Sequence, residues 1–138
     1  MIYAMFAMIL LTSAVAGYLL KLRIAAVKAG EISLGSFRLN TSTDVPPKIT
    51  QAARNFSNLF EVPVLFYIAG ALALALHLET ASMIVLSWIF VIARVVHSWI
   101  HLTNNNVIHR MQAFVLASVC VLLIWILIML QYITHPSY

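Results

Sequence analysis

Four apolar runs, each long enough to cross a lipid bilayer, take up most of this 138-residue chain. They cover residues 2–20, 62–78, 81–100 and 113–133, and about 20 apolar residues suffice for a ~30 Å hydrocarbon core. Hydrophobic residues make up 63% of the sequence and charged residues only 9%, so a water-soluble domain could not cover itself with polar groups. The sequence therefore predicts an all-α integral membrane protein, a single domain over residues 1–138 that forms an antiparallel bundle of four transmembrane helices.

Glycine, proline and asparagine positions predict where these helices begin and end. Helix 1 is expected over about residues 2–28, helix 2 from the prolines at 46 and 47 to about residue 78, helix 3 from residue 81, and helix 4 to about residue 134. Thr43 and Asp44 are expected to cap helix 2. Pro63 lacks an N–H to bond the carbonyl of Leu59 and predicts a kink there. The run Asn104-Asn105-Asn106 is suited to ending helix 3 and starting helix 4.

The basic residues predict the orientation of the bundle. All eight fall at positions that four alternating spans would bring to one side of the membrane, namely Lys21, Arg23, Lys28, Arg38, Lys48, Arg54, Arg94 and Arg110. The positive-inside rule places that side in the cytoplasm and both termini on the other side. This topology also accounts for the net charge of +4 without a nucleic-acid partner. We expect a multi-pass protein of a bacterial inner membrane.

Two predicted helices carry polar residues on one face. The first stripe is Arg54, Asn58 and Glu61 in helix 2, and the second is Arg94, His97, Ser98 and His101 in helix 3. At 100° per residue, each set covers a narrow arc of its helix. Arg110 follows in the first turn of helix 4, at a depth similar to His101. Ionisable side chains within membrane spans are costly and usually functional, so we expect one polar site near the cytoplasmic surface.

The chemistry of these groups indicates a class of ligand. Arg94 and Arg110 can bind carboxylates or a thiolate, and Glu61 can bind an ammonium group. The partial positive charge at the start of helix 4 would further favour an anion beside Arg110. The amide, imidazole and hydroxyl groups of the stripes can supply hydrogen bonds. A small zwitterionic, polyanionic ligand that enters from the cytoplasm fits this set.

Structural explanations of the same residues stay open. Arg94 and Glu61 could form a buried ion pair that only fixes helix packing. Arg54 could be an interfacial side chain that reaches towards the headgroups. His97 and His101 could be satisfied by hydrogen bonds inside the bundle. A metal site is not expected, because the one nearby carboxylate is better used against arginine.

The motifs resemble those of a known family. The segment Arg54-x-x-x-Asn58-x-x-Glu61 followed by Pro63, and the segment Arg94-Val95-Val96-His97-x-x-x-His101 with Arg110 nine residues later, are similar to signatures of the MAPEG superfamily, the membrane-associated proteins in eicosanoid and glutathione metabolism. The resemblance covers essentially the whole chain. It implies a homotrimer that holds glutathione between neighbouring subunits at the cytoplasmic side, with transferase, peroxidase or isomerase activity in many members.

The resemblance also implies roles for individual residues. Glutathione would be bound by the residues that match the polar motifs and by a further arginine at the end of helix 1, namely Arg54, Asn58, Glu61, Arg94, His97 and Arg23. Arg110 would stabilise the glutathione thiolate, and His101 could assist it as a donor, with a rate that changes near pH 6–7.

The chain departs from the family pattern at three positions. Glutathione-using members carry a histidine and a second basic residue where this chain has Phe56 and Ser57. They carry a tyrosine where this chain has His101. Missing polar contacts of this kind predict weak glutathione binding.

These features leave three possible functions. The first is a glutathione S-transferase or peroxidase acting on lipophilic small molecules that arrive from the bilayer. The second is a noncatalytic trimeric membrane protein that binds lipid or a partner helix, for which the small residues between Ala69 and Ala75 offer a close-packing surface. The third, a small-solute carrier, is weaker because four spans show no inverted repeat.

Overall fold

The computed structural model describes residues 1–33, 35 and 45–134, and this part of the chain folds into five helices. They are α1 (Ile2–Lys28), α2 (Pro47–Asn58), α3 (Val62–Ala75), α4 (Ala81–Leu102) and α5 (Val107–Thr134). With α2 and α3 taken as one segment, four helical segments are long and apolar enough to cross a membrane. This confirms the predicted all-α bundle with four spans.

The predicted helix 2 is interrupted rather than kinked. The amide of Phe60 bonds back to the carbonyl of Ser57 at 2.9 Å, so the last turn of α2 tightens and ends. Glu61 then leaves the helical region with φ −91° and ψ −98°. Pro63 lies in the first turn of α3, where the missing N–H costs nothing. The proline thus marks the start of a new helix, and α2 and α3 can point in different directions.

The second part of the predicted helix 2 also ends earlier than expected. The expected end at Leu78 is wrong, because α3 stops at Ala75. His77 adopts a left-handed conformation with φ 53°, and the amide of Leu78 bonds the carbonyl of Ala73 at 2.8 Å. This is the hydrogen-bond pattern of a Schellman end, here closed by a histidine and not by glycine, which a sequence pattern does not reveal.

The other helix ends largely follow the sequence. Gly30 has φ 72° just after α1, as expected of a glycine that closes a helix. Asn106 caps α5, because its Oδ1 accepts from the amides of Ile108 and His109 at 3.0 and 3.2 Å. The expected caps of α2, Thr43 and Asp44, lie outside the described residues, and Pro46 occupies the N-cap position.

Helix packing positions the polar end of the bundle. The most extensive contact is between α4 and α5, while α2 packs against α1 and α4, and α3 packs against α5 and α1. Phe66 of α3 stacks on Phe90 of α4 with ring centroids 4.4 Å apart. The N-terminal ammonium of Met1 pairs with Glu79 in the α3–α4 loop. The two ends of the bundle are therefore distinct, with the α4–α5 turn and α2 opposite the α3–α4 loop.

The small-residue surface of α3 is used inside the chain. Ala69, Gly70 and Ala73 are buried, and a Cβ added to Gly70 would lie 2.6 Å from the sulfur of Met5 in α1. The absence of a side chain at Gly70 lets the two helices approach closely. This surface, which was expected to accept another helix, is thus occupied by α1.

Candidate functional site

A cavity of about 650 Å³ lies where α2, α4 and α5 meet at one end of the bundle. Its lining consists of Val45, Pro47, Thr50, Gln51, Arg54, Ser57, Asn58, Glu61, His97, His101, Asn105 and Arg110. The structure therefore brings together most of the residues singled out from the sequence, drawn from both polar stripes and from the first turn of α5. One cavity holds them, as the helical periodicity predicts.

Arg94 and Glu61 meet through Asn58 and not directly. Nη2 of Arg94 donates to Oδ1 of Asn58 at 2.7 Å and to its carbonyl at 3.0 Å. Nδ2 of Asn58 donates to Oε2 of Glu61 at 2.8 Å. A guanidinium only donates and a carboxylate only accepts, so the amide of Asn58 has a single possible orientation between them.

This chain of hydrogen bonds gives the three residues different roles. Arg94 is completely buried and does not line the cavity, so it acts through Asn58. Asn58 uses its oxygen and one N–H within the protein, which leaves one N–H for a ligand. Glu61 is exposed and lines the cavity. The buried ion pair considered from the sequence is thus a bridged pair that orients Glu61.

His97 links α4 to the first turn of α5. Its Nδ1 lies 3.0 Å from the carbonyl of Arg110, and because a carbonyl only accepts, Nδ1 carries the proton. Nε2 is buried and has no hydrogen-bond partner among the described residues. His97 is therefore satisfied at one nitrogen, and its other nitrogen can accept a hydrogen bond from a ligand.

His101 lies one helical turn further along α4. Its ring centroid is 5.8 Å from that of His97, and its carbonyl accepts from Nε2 of Gln51 in α2. Nδ1 of His101 is also buried without a partner in the described part of the chain. Buried polar groups are usually hydrogen-bonded, so two imidazole nitrogens beside one cavity are consistent with a polar ligand.

Arg110 stands at the start of α5, on the cavity. Its Nη1 donates to Oδ1 of Asn105 at 2.6 Å, and its carbonyl accepts from His97. The amide groups of the first turn of α5 add partial positive charge here. Together with Arg54, which is exposed at the cavity, Arg110 makes the lining more cationic than anionic, since Glu61 is the one carboxylate among the lining residues.

Besides Arg94, two residues expected near the ligand lie outside the cavity lining. Arg23, in α1, is not among the cavity residues. Ser98 is buried on α4 but faces a narrow groove towards α1 that also includes Val15 and Tyr18. Sequence spacing placed Ser98 in the second stripe, yet the packing of α4 between α1 and α5 divides that stripe between two faces.

Sequence reasoning missed three polar residues of the cavity. Gln51 lies three residues before Arg54 on the same face of α2, so extending the first stripe by one turn would have found it. Thr50 sits beside it. Asn105 was read only as a turn residue, and its contact with Arg110 depends on a backbone with φ 52°, which the sequence does not specify.

In a comparison with models of known protein families, residues 1–130 match the MAPEG family. Comparisons with curated proteins and with solved structures give no significant match.

Proposed function

Because the chain belongs to the MAPEG family, whose members commonly bind glutathione, we propose that it binds glutathione in the cavity between α2, α4 and α5. There it acts as a glutathione S-transferase or peroxidase on lipophilic electrophiles. The observation that carries the proposal is the gathering of Arg54, Glu61, Arg110 and two histidines around one cavity. Its volume of about 650 Å³ falls in the range of small-molecule sites, ~300–1,000 Å³.

The lining offers partners for four groups of glutathione. Glutathione carries two carboxylates, one ammonium group, two peptide groups and a thiol. Arg54 can pair with a carboxylate, and Glu61, held by Asn58, can pair with the ammonium. Nε2 of His97 can accept from a peptide N–H. The remaining partners, Arg110 and the N-terminus of α5, can interact with the thiol.

The chemical role of Arg110 is to stabilise charge on sulfur. A thiol with a pKa of about 8.5 is only a few per cent ionised at pH 7. Lowering that pKa by ~2 units requires about 2.7 kcal/mol of preferential interaction with the thiolate. A guanidinium and a helix N-terminus in a partly dehydrated site can supply this. The thiol proton leaves to water at the cavity mouth, and the sulfur bonds to the electrophilic carbon as the leaving group departs with its electron pair.

We propose that the protein is a homotrimer. Arg54 and Glu61 are exposed in the single chain, although both lie in a membrane-length segment. Charged groups that face lipid are costly. A second copy packed over this side would cover them, and three copies agree with the family resemblance.

A second candidate function is lipid binding without catalysis. An apolar groove of about 630 Å³ runs between α4 and α5 on another face of the bundle, lined mainly by aliphatic side chains with His109 and Gln112 among them. A groove of this kind suits an acyl chain. This alternative does not use the polar cavity.

Thermal unfolding of the purified protein in mild detergent, with and without reduced glutathione, tests the proposal. A ligand present at a hundred times its Kd stabilises the folded state by about 2.7 kcal/mol, so the midpoint should rise with glutathione concentration. Arg54→Ala should weaken this rise, whereas Lys48→Ala, a cation of the same helix outside the cavity lining, should not. A midpoint that glutathione does not move would refute the proposal and favour the second candidate.

A further inference from the structure

The turn between α4 and α5 places a side-chain amide on the guanidinium of Arg110. Oδ1 of Asn105 accepts from Nη1 of Arg110 at 2.6 Å, and Asn105 is itself part of the cavity lining. The side-chain oxygens of Asn104 and Asn106 bond only to backbone amides, at longer distances of 3.0 to 3.3 Å. One asparagine of the three is therefore directed to the functional arginine.

The backbone of Asn105 is fixed independently of that contact. Its φ of 52° is left-handed, a conformation that asparagine tolerates better than most residues. Its amide donates to the carbonyl of Ile100 at 2.8 Å, which ties the turn to the last turn of α4. The side-chain oxygen that accepts from Arg110 is thus attached to a backbone that is itself held by a hydrogen bond to α4.

Arg110 would be poorly defined without this contact. Its side chain is long and only half-buried, and such side chains lose considerable rotamer entropy when they are ordered. His97 holds the carbonyl of Arg110 but not its guanidinium. Asn105 orders the guanidinium with a neutral acceptor, so it uses one of five N–H donors and leaves the positive charge uncompensated.

We propose that Asn105 is a positioning residue that holds the guanidinium of Arg110 where the glutathione sulfur develops its charge. The inference rests on the proposed function, because it assumes that Arg110 stabilises a thiolate. Its competitor is a purely structural role, in which Asn105 only adopts the left-handed turn.

The variant Asn105→Gly separates the two roles, because glycine adopts φ > 0 readily but has no side-chain amide to accept from Arg110. With glutathione and a standard aromatic electrophile, kcat should fall about three- to tenfold, the effect of losing one hydrogen bond of ordinary net strength. The KM for glutathione should change by less than about twofold, since the ligand backbone is held elsewhere. Asn104→Gly, in the same turn but without a contact to Arg110, should behave as the parent protein.

A second variant keeps the test decisive if glycine loosens the turn. Asn105→Asp retains an acceptor oxygen and a residue that tolerates the left-handed conformation, but its charge offsets that of Arg110. Its kcat should fall by at least as much, and the pH at which bound glutathione ionises should move upwards. Thermal unfolding midpoints close to that of the parent would show that both variants are folded.

The outcomes distinguish this inference from the proposed function. Parent-like turnover in Asn105→Gly would overturn the positioning role while leaving glutathione chemistry intact. Parent-like turnover in Asn105→Asp would contradict the need for an uncompensated charge on Arg110, on which the inference depends. An equal loss in Asn104→Gly would also overturn it, since the whole turn would then be responsible. A parent protein that binds no glutathione and has no turnover would overturn the proposed function and this inference with it.

Discussion

Asn58 lies between the two opposite charges of the site, Arg94 and Glu61, and hydrogen-bonds to both. The guanidinium of Arg94 is fully buried, and an unpartnered charge in the interior would cost several kcal/mol. The side-chain oxygen of Asn58 accepts a hydrogen bond from that guanidinium. Its side-chain nitrogen donates a second hydrogen bond to the carboxylate of Glu61. Glu61 is consequently held in one orientation at the cavity without losing its charge to a direct arginine pair.

Phe56 and Ser57, two of the three departures from the family pattern, differ in their position relative to the cavity. Phe56 packs edge-on against Phe60 with ring centroids 5.0 Å apart and is not among the cavity residues. Ser57 does line the cavity and is exposed. Only position 57 can therefore regain a contact with an anionic ligand by a single substitution.

We predict that Ser57→Arg tightens glutathione binding about tenfold or more, because a charge-assisted hydrogen bond is worth ~1.5–3 kcal/mol. Isothermal titration calorimetry on the parent and the variant would measure this change. Ser57→Gln, which is long and polar but uncharged, should gain much less. Tight binding by the parent together with no gain from arginine would mean that the ligand is held differently.

At the level of the helices, breaks and turns that depend on local residues could be predicted better than the directions in which the helices run. Pro63 and the asparagine run indicated a kink and a turn because their effects depend on nearby backbone atoms. The sequence could not show that α2 and α3 separate fully, nor that α3 ends in a left-handed histidine. Both depend on how α3 packs against α1 and α5.

The same limit applies to the candidate site. Spacing placed Arg54 and Asn58 on one face of α2, because a shared helix face follows from periodicity alone, whereas Glu61 lies at the N-cap of α3 and lines the same cavity. Spacing could not separate Ser98 from His97, since two helices pack against different parts of that arc of α4. It also could not reveal the contact between Asn105 and Arg110, which a left-handed turn creates.

The close approach of α1 and α3 leads to a stability prediction. Gly70→Leu would place a large side chain where even a Cβ lies 2.6 Å from the sulfur of Met5. Overpacking of this kind usually costs ~1–3 kcal/mol, so the unfolding midpoint in detergent should fall. Gly17→Leu is a matched control in α1, because a Cβ there meets nothing within 4 Å, and it should be tolerated. Equal midpoints for the two variants would contradict the described α1–α3 packing.

On the scale of the whole molecule, the distribution of cations predicts orientation. Seven of the eight Lys and Arg residues lie in α1, α2, α4 and α5 towards the end of the bundle that holds the cavity, and Arg38 lies outside the described residues. We predict that this end faces the cytoplasm. Reporter proteins fused after Tyr138 should be active only when they require export. Activity of a reporter that works only in the cytoplasm would show the opposite topology.

The exposed charges predict assembly. A trimer would cover Arg54 and Glu61 and should persist in mild detergent, because uncovering them in a bilayer is unfavourable. Native mass spectrometry of the purified protein should give three times the chain mass of 15.4 kDa. A stable monomer that still binds glutathione would show that a second copy is not needed to complete the site.

The central claim is that the assembled protein holds glutathione as a thiolate beside Arg110. The ultraviolet absorbance of the thiolate, recorded at pH 7 as glutathione is added to the purified protein, tests it most directly. We predict an absorbance that saturates in the parent and in His109→Ala, whose side chain lies outside the cavity lining. In Arg110→Ala the absorbance should be largely lost, while calorimetry shows a much smaller change in glutathione affinity. An absorbance that is unchanged in Arg110→Ala, or that never appears in the parent, would contradict the claim.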